Sequence, residues 1–112
     1  MRGQDLLHKS FHYKTGVIKI NKANTLKHEL AKFLLSWEAI QNGHEVVTEA
    51  IFLNGKRADV LLLDVPEALE VVHTESEKSI IKKGKDYPVK VSAFRSQSVI
   101  NHYLKELKEE TK

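Results

Sequence analysis

Between residues 45 and 73 three runs rich in Val, Ile and Leu are cut by two tight-turn signals, and this punctuation leaves few folds open. Glu45-Val46-Val47-Thr48-Glu49-Ala50-Ile51-Phe52-Leu53 reads as a strand. Asn54-Gly55 follows, and both residue types tolerate the positive φ that a tight hairpin demands. A second strand is expected over 56–63. Asp64-Val65-Pro66-Glu67 then turns the chain, with proline presetting the turn dihedral, and a third strand is expected over 68–73. Strands joined by loops this short are antiparallel neighbours.

Helices flank this meander. Leu26, Leu30, Phe33, Leu34, Trp37 and Ile40 recur at helical spacing over 25–42, with Asn24 or Thr25 as cap and Asn42-Gly43 as stop. Taken as the buried stripe, these residues put Glu29 at its margin and point His28 away from it. Thr74-Glu75-Ser76-Glu77 has capping-box spacing, and it opens a short helix with Ile80 and Ile81 inward and Lys82, Lys83 and Lys85 outward, ending at Gly84. A fourth strand is expected over 89–94. Ser96 or Ser98 caps a last helix whose stripe is Val99, Ile100, Tyr103, Leu104 and Leu107. The class is α/β, a mixed sheet with helices packed on it, and the helical crossover lets the last strand lie parallel to a core strand.

The chain has 112 residues, room for one core. It is mildly basic, at +3, and unevenly so: residues 1–32 set Arg2, Lys9, Lys14, Lys19, Lys22, Lys27 and Lys32 against only Asp5 and Glu29, and a basic amino-terminal arm over 1–24 is expected to precede a single domain over 25–112. Such an arm suits phosphate contact or is a solvated tail. Without cysteine there is no disulfide, thiolate nucleophile or Cys-ligated metal. No apolar run reaches membrane-spanning length and no cleavable leader is visible, so a cytoplasmic protein without membrane partners is expected. The six histidines form no helical ligand pair, and no glycine-rich phosphate loop or nucleophile elbow is present.

Two acids lie where charge is costly to bury. Asp59 sits within Arg57-Ala58-Asp59-Val60-Leu61-Leu62-Leu63, and Glu70 within Ala68-Leu69-Glu70-Val71-Val72-His73. A two-residue loop makes them diagonal neighbours on one face, and a four-residue loop sets them opposite each other. Carboxylates this close repel unless protonated, bridged by a cation or paired with a base, and Arg57 is the nearest same-face base. One reading is a Mg2+ or Mn2+ site made by Asp59, Glu70 and a backbone carbonyl beside Glu70. The other faces both acids to solvent or pairs them with Arg57 and a lysine. His73, ending its strand beside them, has the chemistry of a general base near neutral pH, or packs at a helix start.

The element order and these acids resemble the PD-(D/E)XK nuclease superfamily, which includes type II restriction endonucleases, archaeal Holliday-junction resolvases and small virus- or plasmid-encoded nucleases. Its helix–strand–strand–strand–helix–strand core corresponds to residues 25–94. Gly55-Lys56-Arg57-Ala58-Asp59-Val60 looks like the first half of its motif, and Leu69-Glu70-Val71-Val72-His73 like the second. The resemblance implies a restriction-endonuclease-like fold and metal-dependent hydrolysis of DNA phosphodiesters, on duplex, branched or single-stranded substrate. Asp59 and Glu70 would be metal ligands, joined by Glu29 on the first helix. Val72 stands where the family has its lysine. The missing cation would come from Lys82, Lys83 or Arg57, or His73 would serve instead; otherwise binding is kept and catalysis lost. Lys14, Lys19, Lys56, Lys82 and Lys83 are the expected phosphate contacts. A homodimer, with the last helix as one seam, would suit cutting two strands.

Overall fold

The computed structural model describes residues 2–74 and 77–110, with Glu77 described in its backbone only. Within these, the helix α1 spans Leu26–Gln41, strands β1, β2 and β3 span Val46–Ile51, Arg57–Leu62 and Glu67–Val72, α2 spans Glu77–Lys85, β4 spans Lys90–Arg95 and α3 spans Ser96–Glu110. The result is an α/β fold with one open mixed sheet, ordered β1-β2-β3-β4. β1, β2 and β3 run antiparallel in turn, and β4 joins β3 in parallel after the α2 crossover. The proposed capping box at Thr74 involves Glu75, Ser76 and the Glu77 side chain, outside the described residues.

Turn chemistry fixes the register. Gly55 has φ 84°, and Phe52 N–H bonds Lys56 C=O at 2.8 Å around it, closing the first hairpin. The second pairs Leu62 with Glu67, so its loop is the four-residue alternative. Asp64 secures this loop by accepting from Glu45 N–H at 3.0 Å and bonding His44 Nδ1 at 2.8 Å.

α1 packs the other way round from its apolar stripe. Its inward residues are Ala31, Lys32, Leu35, Ser36 and Ala39, whereas Leu26, Leu30, Phe33, Trp37 and Ile40 are exposed. The reason is close approach: small Ala31, Ser36 and Ala39 let the helix sit down on Val46, Val60, Leu62, Leu69 and Val71. Thr25 caps the start, accepting from His28 N–H at 3.1 Å, worth about 1 kcal/mol. α3 completes this layer with Val99 and Tyr103, while Leu104 and Leu107 of its expected stripe are exposed. On α2, Ile81 is exposed rather than inward, and Gly84 lies inside the helix rather than at its end.

The amino-terminal residues are docked. Leu7 is buried with Val47, Phe52, Leu61, Leu63 and Tyr87 on the opposite sheet face. Gly3 N–H bonds Leu63 C=O at 2.7 Å, and Gly16 N–H bonds Val46 C=O at 2.9 Å. A β-carbon on Gly3 would stand 3.1 Å from the Leu63 backbone, so glycine permits this approach. Residues 16–20 follow the β1 edge without forming a strand.

Candidate metal centre at Asp59 and Glu70

The recorded β2–β3 pairing ends at Val60 and Leu69; one step further, Asp59 and Glu70 stand opposite each other. There a side chain takes over the ladder, since Asp59 Oδ2 accepts from Val71 N–H at 2.8 Å. Glu70 is only 2% exposed, and its Oε1 has no hydrogen-bond partner. Its Oε2 lies 3.4 Å from Asp59 N. Burial and then the neighbouring Asp59 carboxyl push Glu70 up to about 8. Burial also penalises the Asp59 anion, but the neighbouring Glu70 carboxyl, the Val71 N–H bond and His28 hold it below the usual carboxylate range. Adjacent carboxylates with no ion between them favour sharing one proton, and burial places the upward shift on Glu70.

His28 enters this site, against the sequence expectation that it points away. Its Nε2 lies 3.2 Å from Asp59 Oδ1, and both side chains are largely buried. The reversed face of α1 explains this, because His28 lies one turn before Lys32 on the inward side. His73 follows β3 immediately, where the strand's alternation no longer binds it. Its ring lies 5.5 Å from that of His28, and its Nδ1 is 2.7 Å from Ser96 Oγ at the start of α3. On the α2 side, Glu70, Val72, Ser79, Ile80 and Lys83 line a cavity of about 90 Å³. Lys83 lines this cavity together with Glu70, and Val72 gives it an apolar wall.

Glu29 belongs to a separate network. It accepts from Asn21 N–H at 2.6 Å, Lys32 Nζ at 2.8 Å and Asn24 Nδ2 at 3.0 Å, and these bonds hold it below its ordinary range although burial opposes them. No hydrogen bond or ion pair joins it to Asp59 or Glu70 among the described residues. Lys32, wholly buried, also donates to Lys19 C=O at 2.6 Å and lies 3.9 Å from Glu49. Glu49 sits at φ 52°, a left-handed conformation costing about 1 kcal/mol, and Asn21 Nδ2 bonds its carboxylate at 2.7 Å. Flanking pairs Thr48–Val60 and Ala50–Ala58 set Glu49 opposite Asp59, so the two networks occupy neighbouring strands.

The expected bases are dispersed. Arg57 is exposed and forms no ion pair with either acid among the described residues; its carbonyl accepts from Tyr87 O–H at 2.6 Å. Lys56 lies 3.9 Å from Asp86. Lys19 Nζ donates to His12 C=O at 3.2 Å and lies 4.7 Å from the Phe11 ring centroid. Lys14 and Lys82 are exposed.

Among the described residues no three His, Asp or Glu groups are placed to hold a metal together. Mg2+ needs fewer, because it keeps several waters and binds through one or two carboxylates plus substrate phosphate oxygens. Glu70 Oε1 is the oxygen left without a partner, whereas Asp59 already engages Val71 N–H through Oδ2 and His28 through Oδ1. Sequence reasoning missed His28, Tyr87 and Ser96. For His28 a signal existed: small or polar residues at 28, 31, 32, 36 and 39 recur at helical spacing as regularly as the apolar ones. Comparison of the chain with protein-family models, curated proteins and solved structures yields no match in any of the three.

Proposed function

We propose that this chain is a metal-dependent nuclease of PD-(D/E)XK type that hydrolyses DNA phosphodiester bonds. The observation carrying the reading is the buried Asp59–Glu70 carboxyl pair with one unsatisfied Glu70 oxygen and a small cavity that Glu70 lines with Lys83. Burying two acids side by side is costly for folding, and His28 offsets that cost only at Asp59. Mg2+ or Mn2+, bound by this pair, would polarise the scissile phosphate and lower the pKa of a bound water. Val71 N–H and His28 orient Asp59 for that task. Lys83 replaces the absent strand lysine, stabilising charge on the phosphate from α2 instead of β3. Ser96 fixes the His73 ring at the mouth, where it moves a proton. Glu29 acts indirectly, keeping α1 and its His28 in place.

Val72 supports a second reading, a catalytically silent member of the fold that binds nucleic acid. Plasmid, single-stranded and branched DNA incubated with Mg2+ or Mn2+ separates the two. The first reading expects cleavage that Asp59→Asn and Glu70→Gln abolish and Lys83→Met reduces by about 10- to 100-fold. Salt-dependent binding of wild type without cleavage selects the second.

A further inference from the structure

Independently of any catalysis, we infer that the outward face of α1 is the seam of a homodimer. Leu26, Leu30, Phe33, Trp37 and Ile40 are spaced four, three, four and three residues apart, the knob spacing of one helix packed along another. α3 covers them only in part, Trp37 meeting Tyr103 edge-on with ring centroids 6.4 Å apart. Leu26 is 85% exposed, Phe33 45% and Trp37 42%. Leu107 of α3, 53% exposed, extends the face across a cavity of about 340 Å³ shared with Leu30, Phe33 and Trp37.

Size and charge select the occupant. If a whole aromatic side chain presents about 150–250 Å², the exposed parts of these residues sum to roughly 500 Å² of apolar surface. That lies high in the range of about 300–600 Å² for the largest patch on a monomer. It is the apolar centre that an ordinary interface of about 800 Å² per partner needs, with a polar rim to complete it. A second copy presents the same seam, and two-fold rotation brings the two together. The acidic Glu38, Glu106 and Glu110 around the face disfavour an anionic membrane surface.

Trp37 is the sole tryptophan and lies in the seam, so it reports directly. Sedimentation equilibrium of wild type is expected to give twice the chain mass of 12.8 kDa at micromolar concentration. On dilution, Trp37 emission moves to longer wavelength and becomes quenchable by acrylamide. Phe33→Glu weakens association by roughly thirtyfold or more while circular dichroism stays folded. If that variant unfolds, Leu30→Lys on the same exposed face replaces it. A wild type that stays monomeric at the highest soluble concentration overturns the inference. So does a dimer that withstands the seam substitutions, or Trp37 that changes only on adding anionic vesicles.

Discussion

Glu70 holds the most consequential oxygen in the molecule. Its carboxyl is buried, shares a boundary with Asp59 and keeps one oxygen without a partner. The folded state keeps its proton up to about pH 8, whereas the unfolded chain releases it near the ordinary value of 4.5. Between those pH values the folded state binds more protons, so raising pH lowers stability across that window. Asp59, held low, acts in the opposite sense and loses its contribution only in more acidic solution. Urea unfolding of metal-free protein at pH 5, 6.5 and 8 should therefore show wild type losing stability relative to Glu70→Gln as pH rises. A constant difference between the two would remove the basis for a protonated Glu70. Both acids were legible in the sequence because each interrupts an apolar strand. Their partners were not. Val71 contributes only its N–H, and Ser96 reaches His73 only through the parallel placement of β4.

At the scale of elements, strand order and crossover followed directly from the turns and periodicities, but the orientation of α1 did not. Hydrophobic spacing alone selected Leu30, Phe33 and Trp37 as the inward face, whereas packing against a flat sheet favoured the smaller side chains opposite. The inversion brings His28 onto Asp59 and buries Lys32 between carboxylates. Ala31→Leu tests it, since Ala31 is wholly buried. The substitution should cost about 1–3 kcal/mol by overpacking the helix–sheet layer, measured by denaturant unfolding. Were the apolar stripe the buried one, an added leucine at position 31 would be tolerated on the solvent side.

For the whole molecule, the amino-terminal segment is part of the fold. Leu7 bridges to Phe52 and closes the sheet face away from α1, while Asn21 and Asn24 tie the segment to Glu29. Leu7→Ala should lower stability by about 2–5 kcal/mol in thermal or urea unfolding, where a detached arm would register no change. The segment's hydrogen bonds to distant backbone carbonyls carry no local sequence pattern, which is why charge alone suggested a tail. Within this packing lies the carboxylate pair on adjacent strands that is proposed to take a divalent cation. Calorimetric titration of Mn2+ at pH 7, repeated in buffers of different ionisation enthalpy, tests that claim most directly. The expected result is one ion bound per chain with about one proton released from Glu70, affinity rising with pH, and binding lost in Asp59→Asn and Glu70→Gln. Absence of binding, or binding unchanged in both variants, would contradict it.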